Sequence, residues 1–256
     1  APGPREPQLT CSVSRADQLS DALAGCAMLY LPLEILDEVD IDRYAARTKL
    51  CAVLPRVFRT EDEALFREKL QRFPQLSAVA VGNLGHLPIV EGLGLEVRGD
   101  FGLNVFNSRA LAFLRELGLA SATVSFELRH QQVRDLAKLL PCEGIVYGRL
   151  PLMVMENCIT KNNVGCRHGA GSTLTDRTGA QFPVQCVYGC RNEIENSLPL
   201  FLADKAEWRG CGLTSARLRF TTETADECAA VLRRYRGEGD YAPEKYTRGL
   251  FYRGVE

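Results

Sequence analysis

Four cysteines between residues 158 and 190 carry the clearest chemical signal in this chain. Cys158, Cys166, Cys186 and Cys190 are spaced C-x7-C-x19-C-x3-C. They lie in polar, glycine-rich sequence, where burial as small apolar side chains is a poor explanation. Ser172 to Thr175 and Gln181 to Val187 have strand character, and Asp176-Arg177-Thr178-Gly179 supplies turn residues, with Gly179 free to take φ > 0. A hairpin with thiols just outside both arms brings distant ligands together. Four thiolates suit either Zn²⁺ or an iron–sulfur cluster. Loose spacing on flexible backbone favours [4Fe–4S] over Zn²⁺. One or two disulfides are the rival reading. His168, two residues after Cys166, is a candidate substitute ligand. Cys11, Cys26, Cys51, Cys142, Cys211 and Cys228 sit singly, in apolar runs such as LCAVLP and GCAMLYLP, and are expected in the core.

The rest of the chain must position these thiols. Eight short apolar segments, most separated by helical patterns, predict a (β/α)8 TIM-like barrel, with a doubly wound open sheet as the other possibility. Residues 1–8 read as a proline-rich linker, 9–240 as the barrel, 151–212 as a cysteine-bearing β-hairpin insertion after strand seven, and 241–256 as a tail. Ser14 is expected to cap a helix over Arg15 to Ala24. Thr60 and Glu63 suggest a capping box, and Thr224 suits the cap of a last helix ending at Arg236.

In a parallel barrel the active face lies at the C-terminal ends of the strands. That rule selects Glu127, Arg149, Asp100 and Asn83 as catalytic candidates, sharing one pocket beneath the cysteine ribbon. Arg56 and Asn104 are candidate substrate-binding residues. Arg56 and Arg149 also suit a bidentate hold on a carboxylate. Each has a bland reading: the arginines as structural partners of Asp100 or Glu127, Asn83 as a turn former, Glu223 as a helix cap. His86, His130 and His168 lack the flanking patterns of a catalytic triad, and four cysteines would close the shell of a hydrolytic metal.

Composition bounds the function. The 256 residues are 46% hydrophobic and 25% charged, with a net charge of −1. This describes a soluble globular protein, with no apolar run near the ~20 residues that span a bilayer. The charge does not advertise nucleic-acid binding, so any phosphate contact needs a local patch or another part of a longer molecule. The opening APGPREP reads as a linker, which suggests a module of such a molecule. Ten cysteines without an export signal point to the cytoplasm.

Several strings resemble the peptidase U32 family, the collagenase-like protease group. They are YGRLPLMVMENC, LTDRTGAQFP, CVYGCRNEIENS and ARLRFTTE, with VGNLG at 81–85, GDFGLNVFNS at 99–108 and SFEL at 125–128. The resemblance covers nearly the whole chain after the linker. It is nearest to the C-terminal module of long members, which the terminal TRGLFYRGVE also suggests. It implies a barrel and a cysteine-ligated iron–sulfur cluster. The family name asserts proteolysis, but several members are oxygen-independent hydroxylation proteins acting on transfer RNA, ribosomal RNA or a quinone precursor. The chain departs from better-known members in its cysteine spacing and in Arg149, where a His-Gly pair often follows strand seven. Three functions follow: RNA hydroxylation, peptide hydrolysis, or a non-catalytic metal-stabilised barrel that binds RNA or a partner domain.

Overall fold

The computed structural model describes residues 6–166 and 172–254. Apolar runs without alternation are what parallel strands buried on both faces require. Such runs form the seven strands β1 (Gln8–Ser12), β2 (Met28–Pro32), β3 (Lys49–Val53), β4 (Leu76–Val81), β5 (Glu96–Gly99), β6 (Ser121–Thr123) and β7 (Cys142–Gly148), of which β5 and β6 are the more polar. The chain then leaves the sheet. β8 (Pro151–Met155), β9 (Ser172–Thr175), β10 (Gln181–Val187) and β11 (Arg191–Glu195) make a separate antiparallel sheet in the order β8-β11-β10-β9. The two-residue β12 (Leu200–Phe201) returns antiparallel to β7, and β13 (Ser215–Arg219) pairs in parallel with β7 and β1. Pairing of β6 with β7 closes the ring, so eight parallel strands form a TIM-type barrel.

Helices cover the outside unevenly. They are α1 (Ile41–Ala45), α2 (Glu63–Gln71), α3 (Leu87–Val90), α4 (Ser108–Glu116), α5 (His130–Asp135), α6 (Ile159–Val164, in the insertion) and α7 (Ala225–Arg236). The helix expected over Arg15 to Ala24 is instead two 3-10 turns, Ala16–Gln18 and Leu23–Gly25. The Gln18 carboxamide accepts from the N–H of Ser14 and Arg15 at 2.8 and 3.1 Å, and Leu19 leaves the turn extended. Side-chain capping at Gln18 therefore replaces helix propagation. Thr60 is not the cap before α2. Asp62 reaches back to the N–H of Arg59 at 2.8 Å and starts a 3-10 turn one residue earlier. Thr224 does cap α7, with Glu227 completing the box.

Barrel exteriors pack apolar side chains against the helices, while the interior is partly polar. Met28, Tyr30, Cys51, Ala78 and Ala80 form a small apolar cluster of their own. Beside it, Glu143 accepts from Thr10 Oγ1 at 2.7 Å, Tyr30 OH at 3.1 Å and Arg217 Nε at 2.7 Å. Arg217 also donates to Asp100 Oδ1 at 2.7 Å and lies 3.9 Å from the centre of the Tyr30 ring. Burial alone would raise the Glu143 carboxyl, but the Arg217 and Arg98 guanidiniums outweigh it and hold it below its ordinary value. These contacts join non-adjacent strands across the interior, so the network ties the barrel shut from within.

Candidate functional site at the barrel mouth

The insertion sheet lies over the C-terminal ends of the barrel strands and roofs a cavity of about 680 Å³. Apolar wall comes from both parts: Val13, Ile35, Leu54 and Phe101 from the barrel, Val184 and Val187 from β10. A ladder of ion pairs joins roof to barrel. Arg219 donates to Glu193 Oε1 at 2.7 Å and to both oxygens of Glu195 at 2.8 Å. Arg56 Nη2 reaches Glu193 Oε2 at 2.9 Å. Glu193 and Glu195 stand two apart on β11, so strand alternation sends both toward the mouth. Burial pushes the Glu195 carboxyl up to about 6, against the pull of Arg219.

Arg56 is held along its length. A Cβ at Gly82 would stand 2.9 Å from Arg56 Cγ, and one at Gly102 would stand 2.8 Å from Arg56 Cδ. The two glycines thus leave a slot for the aliphatic stem, and the guanidinium lies 5.2 Å from the centre of the Phe101 ring. Backbone approach is closer still at Gly148, φ 118°, where a Cβ would fall 2.0 Å from the carbonyl oxygen of Arg219. This glycine permits β7 and β13 to meet where the insertion leaves the barrel.

The thiols gather at one edge of this roof. All ten cysteines are free; the six in apolar runs are buried, Cys158 is half-buried, and Cys166, Cys186 and Cys190 are exposed. The last three line the cavity. The Cys186 thiol is pushed up first by burial, then by the Cys158, Cys190 and Cys166 thiols, so all four share one electrostatic neighbourhood. Cys158 Sγ accepts the N–H of Lys161 at 3.3 Å. Among the described residues, no three His, Cys, Asp or Glu side chains converge as the ligands of a single metal ion. The donor set fits a thiolate-ligated group, but it is not drawn in on one point. His168 lies outside the described residues.

A model of peptidase family U32 matches residues 33–179, more than half of the chain. The chain belongs to peptidase family U32. A solved U32 peptidase is similar over 58% of this chain and 71% of its own, at 12% identity and a TM-score of 0.43. A structure of native KDPGal is similar over 90% and 95%, at 14% identity and TM-score 0.47. The spore cortex-lytic enzyme SleL of Bacillus megaterium QM B1551 is similar over 92% and 75%, at 9% identity and TM-score 0.43. No curated protein matches the sequence.

Within this U32 barrel, the sequence-selected residues divide. Arg56 and Asp100 line the cavity; Asn83, Asn104, Glu127 and Arg149 do not. The pocket expected to unite Glu127, Arg149, Asn83 and Asp100 is therefore corrected to one built around Arg56, Asp100, Arg217 and Arg219. Asp100 is buried and serves Arg217. Asn83 caps a turn by accepting from Gly85 N–H at 2.9 Å. Asn104 takes left-handed backbone, φ 49°, at the end of a 3-10 turn. Glu127 is half-buried just past β6. Arg149 donates to the carbonyls of Asn196 (3.0 Å) and Ser197 and to Thr222 Oγ1, bracing the insertion against the barrel. Glu223 accepts from Thr221 and Thr222 N–H and from Tyr147 OH, so it braces the loop before α7.

Sequence reading missed Arg217, Arg219, Glu193 and Glu195. The available signal was alternating charge inside strands, as in ARLRF and RNEIE. The two described histidines, His86 and His130, lie elsewhere. His86 Nε2 faces the Pro55 carbonyl at 3.0 Å, and burial lowers it to about 4. His130 packs on Phe251 with ring centres 5.3 Å apart. No helix of the described residues is long and apolar enough to cross a membrane.

Proposed function

We propose that this U32 chain holds a [4Fe–4S] cluster on Cys158, Cys166, Cys186 and Cys190 and serves oxygen-independent hydroxylation of a transfer or ribosomal RNA base. The observation that carries this reading is the placement of three free thiols, Cys166, Cys186 and Cys190, on a roofed cavity that no histidine lines among the described residues, with the free thiol of Cys158 on the same ribbon. Four free cysteines on one ribbon match the four Cys ligands that an iron–sulfur cluster takes, and their loose sequence spacing supports it over Zn²⁺. When bound, the cluster would supply one-electron transfer at the mouth.

The chain's own residues do the rest. Apolar walls exclude water. Arg56, fixed in its glycine slot, presents a guanidinium to an anionic group of a hydroxylated carboxylate donor. In the overall exchange the base carbon loses hydrogen, gains hydroxyl and is oxidised by two electrons. The donor carbon exchanges its hydroxyl for that hydrogen and is reduced by two. Hydrolysis finds less support. Glu193 and Glu195 are both held by Arg219, so they are not a proton-sharing pair of the aspartic-protease kind. With a net charge of −1, phosphate contacts come from other domains of a longer U32 chain, and the protein works in the cytoplasm.

The test has two parts. Anaerobically purified protein should be brown and contain about four irons, as the cluster assignment requires. Deleting the gene in its host should remove one hydroxylated nucleoside from transfer or ribosomal RNA, read by mass spectrometry. Unchanged RNA, with gelatin cleavage by cluster-free protein, would replace this reading with the peptidase one.

A further inference from the structure

The turn joining β10 to β11 is the strained point of the thiol ribbon. Gly189 and Cys190 both take left-handed backbone, φ 72° and 59°. Among the described residues, only Cys190 and Asn104 do so without being glycine. A non-glycine residue held there costs about 1–2 kcal/mol and persists only where its surroundings enforce it.

Barrel residues supply that enforcement through Tyr188. Its N–H donates to Glu34 Oε1 at 3.1 Å, and its hydroxyl donates to Asp62 Oδ1 at 2.7 Å. The ring packs edge-on against Phe66 of α2, with centres 4.9 Å apart. From the ribbon side, Arg191 donates to the Tyr188 carbonyl at 3.2 Å and to Glu156 Oε1 at 2.8 Å. A Cβ on Gly189 would stand 2.5 Å from Arg191 Nη1, so that guanidinium occupies the space over the glycine. The Cys158 side is tied separately: Asn192 Oδ1 accepts the N–H of Ile159 at 2.7 Å.

We propose that Tyr188 is a positioning residue for the thiol site: by locking the left-handed turn onto the barrel, it sets where Cys186 and Cys190 stand relative to Cys158, Cys166 and the cavity. The inference rests on the reading that the four thiols hold one cluster. Tyr188 lies two residues from each of Cys186 and Cys190, so little slack separates its anchors from the thiols. Without those anchors, Cys190 relaxes out of the left-handed region, and its Cα–Cβ bond swings away. Glu34 and Tyr188 also line the cavity, so the same contacts fix the thiols to the cavity wall.

The experiment reconstitutes wild type, Tyr188→Phe and Tyr188→Ala anaerobically with iron and sulfide. It measures bound iron, the release rate to a chelator, the EPR spectrum of the reduced form, and the melting temperature before reconstitution. Tyr188→Ala should release iron at least about tenfold faster, the usual size of a lost outer-shell partner. It should also show an altered EPR spectrum while the barrel still melts cooperatively. Tyr188→Phe keeps the ring and the N–H, and should fall between the two. Should Tyr188→Ala fail to fold, Tyr188→Phe and Glu34→Ala, which removes the acceptor of the Tyr188 N–H, carry the test through the same release rate. Wild-type iron content, release rate and spectrum in the folded variants would overturn the proposal alone. A wild-type protein that takes up no iron would overturn the cluster reading and this proposal together.

Discussion

The barrel interior and the cysteine ribbon treat their reactive groups in opposite ways. Inside the barrel, Arg217, Glu143 and Asp100 are almost wholly buried, and each is matched by hydrogen-bonding partners. On the ribbon, three of four thiols are exposed at the edge of a cavity. Buried charges that satisfy one another have no spare capacity for a ligand; they specify structure. Thiols held near one another on a strained, externally braced turn keep their capacity. In this molecule chemical potential therefore follows incomplete internal matching, not the density of charge.

Arg217→Met should show the largest effect of breaking the first region. It leaves Glu143 and Asp100 buried without their cation, and breaking such a pair costs about 3–5 kcal/mol. Urea unfolding of the apo protein measures it. Adding Glu143→Gln should recover part of the loss, because the stranded charge is then gone. A loss below about 1 kcal/mol, the level of an exposed pair, would mean that water reaches the network and that the contrast with the ribbon is false.

Glu195 lies between the two regions, on the ribbon's β11 and paired with Arg219 of the barrel. Its carboxyl is raised from 4.5 to about 6 by burial. A raised acid binds its proton more tightly in the folded state. Its contribution to stability is therefore highest below about 4.5, falls as pH rises to about 6, and is flat above. That difference amounts to about 2 kcal/mol at neutral pH. Glu195→Gln should remove this component of the slope between those pH values, read by urea unfolding across the range. An unchanged slope would assign the burial penalty to another group. His86, lowered to about 4, acts with the opposite sign as pH falls below its ordinary value and is untouched by the substitution.

Local sequence revealed what local physics decides. The bounds of β4 and of the β9–β10 hairpin match the apolar runs and turn residues that announce them. The Thr224 cap follows from its own spacing to Glu227. The 3-10 turns after β1 were not legible, because Gln18 acts through a long side chain that also donates to the Glu223 carbonyl at 2.9 Å. Arg56 meets Glu193 across 137 positions, and Arg217 meets Asp100 across 117. Pairings at such separations are set by barrel closure and by the angle at which the insertion returns, which no window of sequence contains. Arg149 shows the converse. It leaves the seventh strand at the expected end, yet the insertion it introduces folds back and engages its Nη1.

The smallest effect on the fold should come from the ribbon thiols, and it decides whether the contrast between the two regions holds. Cys166→Ser and Cys190→Ser replace exposed thiols, and exposed substitutions away from packing usually change stability by no more than about 0.5 kcal/mol. Cys51 is the control. It is fully buried inside the barrel, and burial pushes its thiol far up, so it stays protonated. Cys51→Ser places a hydroxyl beside Ala78 and Ala80 and should cost about 1–3 kcal/mol. Iron retention should rank the three the other way: Cys51→Ser keeps the wild-type iron content, while Cys166→Ser and Cys190→Ser lose most of it. Urea unfolding of the apo proteins and iron analysis after anaerobic reconstitution give both rankings from the same preparations. If the ribbon variants destabilise the apo protein as much as Cys51→Ser and still hold iron, the ribbon thiols are packing residues and the iron sits elsewhere.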